Sequence, residues 1–182
     1  MYYPTNRTKE IVEVLIYLLL MWAIFFIQQV SFIGNYGIVP REFIGLIGLI
    51  SSPFLHADLN HLVLNTGGFV VFGIIYSILE GKRFSQVFWT ITILQGLLTW
   101  IFAIGGNHIG ASGVIFGLFS FLLGVGFFHR NLKYIVVSLL ISVFYGSMIF
   151  GMIPVIAGEN VSWEGHLFGF ISGILIAKFK NN

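Results

Sequence analysis

The sequence predicts an all-α membrane protein, a bundle of six transmembrane helices with both termini on the cytoplasmic side. Three observations carry this. Of 182 residues, 57% are hydrophobic and only 9% charged, a composition that no water-soluble domain of this size accommodates. Six apolar runs approach or exceed the roughly 20 residues that a helix needs to cross about 30 Å of hydrocarbon. Finally, Arg7, Lys9, Lys82, Arg83, Arg130, Lys133, Lys178 and Lys180 all fall on one side of a six-span arrangement, with Arg41 alone opposite. Lys and Arg favour cytoplasmic loops, which orients the bundle, and an odd number of spans would scatter them.

Taken in order, a polar start precedes helix 1, about 11–33, too long for a signal peptide and followed by no small-residue cleavage site. Gly34, Asn35, Tyr36 and Gly37, with Pro40 beyond, end it by turn chemistry. Phe43 to Ile50 is too short to span and rich in glycine, so it reads as an interfacial or re-entrant piece of a first outer loop. Helix 2, about 59–79, stops at the charged turn Glu80-Gly81-Lys82-Arg83, and helix 3 covers about 84–104. The short loop Gly105-Gly106-Asn107-His108 leads to helix 4, about 111–128. Helix 5, about 134–153, is broken by Pro154, and a polar loop through Glu159 and Asn160 leads to helix 6, about 163–177. The chain reads as one domain over residues 1–182. It has no cysteine, so disulfides and thiol nucleophiles are excluded.

This topology brings helices 2, 4 and 6 in from the outer face, with His61, Asn65, Ser112 and His166 all near their first turns. Polar groups inside a bilayer are costly and tend to be paired or functional. A lone serine is usually a small residue at a packed helix interface, but Ser112 lies within Gly110-Ala111-Ser112-Gly113, and Gly117 extends a small-residue face. At a helix start it also sits beside unpaired backbone N–H groups and the positive end of the dipole, which favour a developing anion. His166, Gly169 and Gly173 share one face, the natural partner for Gly113 and Gly117, so packing them sets an imidazole beside the hydroxyl. His61 and Asn65, at i and i+4, present donors from one face and could hold an oxyanion, each worth roughly 3 kcal/mol of barrier lowering. Helix-to-loop hydrogen bonding is the structural alternative for that pair and the favoured role for His56.

No carboxylate lies at matching depth within the helices: Asp58, Glu159 and Glu164 are loop or boundary residues, although Glu164 is close in sequence to His166. A Ser-His dyad is the simplest proposal. Zinc on His56, His61 and His166 is a valid ligand set, but no His-Glu-x-x-His pattern is present and the glycine-flanked serine is left unexplained. A transporter would call for more intramembrane charge or repeated halves.

In combination, Phe54-Leu55-His56-xxxx-His61-xxx-Asn65, Gly110-Ala111-Ser112-Gly113 and Gly165-His166-xx-Gly169-xxx-Gly173 resemble the rhomboid family of intramembrane serine proteases, over about Ile11 to Phe179. The resemblance implies a rhomboid-like bundle in which Ser112 is the nucleophile and His166 its base. It further implies an oxyanion hole from His61, Asn65 and the Ser112 N–H. Family members often carry Tyr four residues after the nucleophile, stacked on the histidine, where this chain has Phe116. The Trp-Arg pair that many relatives carry in the first outer loop is absent, and Gly165 stands where Ala is common. The expected activity is cleavage of membrane-anchored proteins near the outer face of the plasma membrane, with transmembrane protein substrates and membrane lipid as partners. A substrate helix is expected to enter near helices 2 and 5. No metal, organic cofactor or nucleic acid is implied. The alternative is an inactive rhomboid-like protein that binds transmembrane helices.

Overall fold

The computed structural model describes residues 6–30, 36–158 and 161–180, so the end of helix 1, Gly34, Asn35, Glu159 and Asn160 lie outside the described residues. The main helices are α1 (Arg7–Val30), α2 (Leu59–Glu80), α3 (Phe84–Phe102), α4 (Ser112–His129), α5 (Leu132–Tyr145) and α6 (Trp163–Phe179). Among the described residues, five segments are long and apolar enough to cross a membrane: α1 to α4, and Leu132–Met152, which is α5 with the 3₁₀ stretch that continues it. The sixth helix, α6, has 17 residues.

Local chemistry sets the helix ends. The Asn6 side chain accepts from the Lys9 N–H at 3.0 Å, which starts α1 at Arg7, ahead of the apolar run. Asp58 caps α2 by accepting from the His61 N–H at 2.8 Å, and Gly81, at φ 62°, closes the helix in a left-handed turn. The first turn of α3 is held by α1, since Glu10 accepts from the Phe84 N–H and Glu13 from the Ser85 N–H at 3.0 Å. Two carboxylates thus meet the positive end of α3. Arg41, the one cation expected on the outer side, binds the other end of α3 through Nη1, at 3.2 Å to the Ile101 carbonyl and 2.7 Å to that of Ala103.

The expected helix through Ile153 is shorter than its apolar run. The α-helix ends at Tyr145, a 3₁₀ stretch covers Gly146–Met152, and Pro154 opens a short turn, Pro154–Ala157. Gly146 and Gly151 favour helix poorly, and proline suits a first helical position better than an interior one. The expected outer piece at Phe43 is a chain of short helical turns, Phe43–Leu46, Gly48–Ser51 and Ser52–Phe54. It is fastened by a backbone bridge between Ile38 and His108 and by Trp100 Nε1 donating to the Glu42 carbonyl at 2.9 Å.

Helix α4 is the axle of the bundle. Its residues from Gly113 to Leu122 are all buried, as befits a helix apolar on every side. Helix α6 packs along it most extensively. The contact is backbone to backbone: a Cβ on Gly169 would overlap the Gly113 carbonyl, and one on Gly173 would overlap that of Gly117. Aromatic rings fill the space among α1, α2 and α3, with Tyr17 stacked on Phe88 at 4.2 Å. By contrast α5 packs mainly on α4, and its outer face leaves Val143 78% and Phe144 71% exposed, a surface suited to lipid rather than water.

Candidate functional site

The close approach of α4 and α6 sets the first turns of both helices beside the start of α2. There they line one cavity of about 850 Å³, whose walls include His61, Asn65, Ser112 and His166. Ser112 is the first residue of α4 and is half-buried; Asn65 and His166 are buried. Gly110 turns the chain into α4 with φ 106°, a region open mainly to glycine, and its α-carbon faces the His61 ring so closely that a Cβ would lie 2.5 Å from Nε2.

His166 is fixed from two sides. The Phe116 ring stacks on the imidazole with centroids 4.2 Å apart and planes 8° from parallel. Its Nδ1 lies 2.9 Å from the Gly151 carbonyl oxygen. A carbonyl only accepts, so Nδ1 carries the proton and Nε2 is left as an acceptor. Glu164, near in sequence, is used elsewhere and accepts from the Ile104 N–H at 3.3 Å. The group that orients the histidine is therefore a backbone carbonyl. Gly151 reaches it because a Cβ there would already touch Phe116 at 3.0 Å and His166 Nδ1 at 3.4 Å. Sequence reasoning missed this residue, and a glycine in an apolar run carries no signal for it.

On the opposite wall, Asn65 Nδ2 donates to the His61 carbonyl at 3.0 Å, which holds the amide against its own helix with one N–H remaining. His56 lies outside the cavity lining, 2% exposed, with its ring 5.1 Å from that of His61. Burial, with the charge of His61 adding to it, pushes the His56 imidazole down to about 4, so it is neutral near pH 7. Among the described residues, no three His, Asp or Glu side chains converge on a point that could hold a metal ion.

His108, which the sequence places only in a short loop, ties that loop to α6. Its Nε2–H donates to the Gly105 carbonyl at 2.8 Å, which leaves Nδ1 to accept from the Ser162 hydroxyl at 2.6 Å. Ser162 in turn accepts from the Gly165 N–H at 3.3 Å at the start of α6. Beside Ser112 lies a recess of about 10 Å³ bordered by Ser52, Gln95 and Thr99, roughly the room of one water. Among the described residues, the buried hydroxyls of Ser52 and Thr99 have no hydrogen-bond partner.

Comparison with known proteins identifies the family. The Rhomboid domain family model matches residues 44–180. An uncharacterized protein of Mycobacterium tuberculosis is 37% identical over 95% of this chain and 77% of its own length. YdcA of Bacillus subtilis, named as a candidate rhomboid protease, is 30% identical over 71% of this chain and 64% of its own length. L523 of Acanthamoeba polyphaga mimivirus, named as a candidate rhomboid protein, is 28% identical over 71% of this chain and 72% of its own. The family match takes in all three helices that line the cavity, and on that ground the chain belongs to the rhomboid family.

Proposed function

We propose that this protein is an intramembrane serine endopeptidase that cleaves membrane-anchored proteins by a Ser112-His166 dyad. The observation that carries the reading is the fixed His166 ring, which turns Nε2 into a proton acceptor on the cavity that Ser112 also lines. Ser112 Oγ attacks the scissile carbonyl carbon and gives its proton to Nε2. The oxyanion that forms accepts from His61, the free Asn65 N–H and the Ser112 backbone N–H, each donor lowering the barrier by roughly 3 kcal/mol. The imidazolium then protonates the departing amine, leaving an acyl-enzyme on Ser112. Water repeats the sequence and releases the acid, and one held in the recess beside Ser112 is well placed to do so.

The same reading takes α6 as a sixth span, sets both termini in the cytoplasm, and opens the cavity to the outer face of the plasma membrane. The charge asymmetry supports this. Substrates are transmembrane helices that unwind near the outer face.

The test is labelling of purified protein with a fluorophosphonate probe, comparing wild type with Ser112→Ala and His166→Ala. Labelling of wild type alone supports the dyad. Folded wild type that stays unlabelled, under conditions where an active relative reacts, overturns it in favour of a rhomboid-like protein that binds helices without cutting them.

A further inference from the structure

At the end of the bundle opposite the Ser112 cavity, the close of α2, the α2–α3 turn, the start of α3 and the end of α6 enclose a second cavity of about 330 Å³. One wall is apolar, built from Val87, Phe121, Ile176 and Phe179, while Lys82, Arg83 and Lys180 line the rest together with Glu80, and Arg83 has a partner of its own. Lys180 is already engaged, 3.1 Å from Glu80 and 2.8 Å from the Tyr134 hydroxyl. Among the described residues Lys82 has no ion-pair partner. Glu80 is 6% exposed, and among the described residues its Oε1 has no hydrogen-bond donor. Orientation in the membrane accounts for cations at this end of the helices. It accounts neither for a cavity beside them nor for a buried carboxylate oxygen without a donor, which is costly to leave unmet.

We propose that this cavity binds an anionic phospholipid whose headgroup carries hydroxyls, of which phosphatidylglycerol is the type. The phosphate lies at Lys82, a headgroup hydroxyl donates to Glu80 Oε1, and the first part of an acyl chain follows the apolar wall. The level fits, because the cavity is bounded by the last turn of α2 and the first of α3, where a spanning helix meets the headgroups. A free phosphate would leave the apolar wall unused. A choline headgroup has no N–H or O–H to offer Glu80, and an ethanolamine lipid lacks the net negative charge that the cations select. The site is independent of the chemistry proposed at Ser112.

The test uses the full chain in nanodiscs of equal parts phosphatidylglycerol, phosphatidylcholine and phosphatidylethanolamine, with retained lipids counted by native mass spectrometry. Wild type retains phosphatidylglycerol several-fold over the other two. Lys82→Gln lowers that enrichment about fivefold, the effect of one cation at a membrane surface. Val87→Trp, which fills the apolar wall without touching a charge, removes it. Equal retention of the three lipids overturns the proposal, as does enrichment that survives Lys82→Gln. Displacement of the lipid by millimolar inorganic phosphate also overturns it, since the site would then be one for a soluble anion. Lys82 lies in a turn and its removal leaves the core intact, so that variant decides the matter even if Val87→Trp fails to fold.

Discussion

Replacing Gly169 with alanine tests whether the packing of α4 on α6 sets the proposed dyad. A Cβ at Gly169 would overlap the Gly113 carbonyl oxygen and lie 3.1 Å from the Gly113 α-carbon. Carbon atoms settle about 3.5 to 4.0 Å apart, so the two helices must part by about 1 Å. Gly113 follows Ser112 directly and Gly169 lies one turn beyond His166, so the gap opens between hydroxyl and imidazole. Overpacking of this kind costs about 1–3 kcal/mol of stability, which the remaining contacts between the helices can absorb. The reaction is more sensitive, because a misplacement of about 1 Å between reacting groups costs about 100-fold in rate. Gly67→Ala is the control, since a Cβ there meets nothing within 4 Å. The assay pairs the second-order rate of fluorophosphonate labelling with the thermal midpoint of the same preparations. Gly169→Ala should stay folded and label about 100-fold more slowly, with Gly67→Ala unchanged. If folded Gly169→Ala labels within about twofold of wild type, the dyad does not depend on this contact and the geometry proposed for it is wrong.

Three further outcomes follow from the residues packed around the cavity. Gly110→Ala forces a side chain into φ 106° and against the His61 ring, so the thermal midpoint should fall by the equivalent of about 1–3 kcal/mol, and an unchanged midpoint would contradict the turn described here. Phe116→Leu removes a stack worth about 0.5–1.5 kcal/mol and should slow labelling about two- to tenfold, whereas Phe116→Tyr keeps the ring and the rate; equal rates for both variants would dismiss the stack. His56 titrates at about 4 in the folded protein against 6.5 ordinarily, so the unfolded chain binds a proton that the folded chain refuses between those values. The stability contributed by neutral His56 is full above pH 6.5 and lost as pH falls toward 4, about 3 kcal/mol in all. His56→Phe should flatten that part of the stability–pH curve, and an undiminished slope would assign the effect to other groups.

The long helices were legible because membrane spans need only length and apolarity, and the observed bounds of α2, α3, α4 and α6 lie within two residues of the expected ones. Helix 5 is legible as a span, Leu132–Met152, but hydropathy does not distinguish an α-helix from the 3₁₀ winding at Gly146–Met152 that completes it. Glycine spacing gave the α4–α6 contact away, since residues at 113 and 117 and at 169 and 173 can face a partner closely only without side chains. Four of the residues lining the cavity, His61, Asn65, Ser112 and His166, are legible because each lies near the start of its helix. What the sequence withheld were backbone groups. The Gly151 carbonyl has no residue-type signature, and the tie from His108 to Ser162 joins two loops that no local pattern relates.

Using a carbonyl rather than a carboxylate to orient the histidine suits a site enclosed by apolar helices. An ionised Asp or Glu at the depth of His166 would have to be desolvated, at a cost of several kcal/mol that its attraction to a transient imidazolium repays only in part. The Gly151 carbonyl is already present in the chain, carries no net charge, and is short of a partner because the winding ends at Met152. Accepting from Nδ1 satisfies it and selects the tautomer in a single contact. The proposed dyad gives up the electrostatic help of a buried anion when Nε2 takes the serine proton. The proposed reaction would then lean on what the cavity supplies, which is the proposed oxyanion donors from α2 and from the start of α4 and a ring held in place by Phe116. On this reasoning, introducing a carboxylate with Gly151→Asp would not speed labelling. It would crowd Phe116 and bring a charge into an apolar wall, and both the thermal midpoint and the labelling rate should fall. A faster-labelling Gly151→Asp variant would mean that the site lacks an anion rather than avoids one.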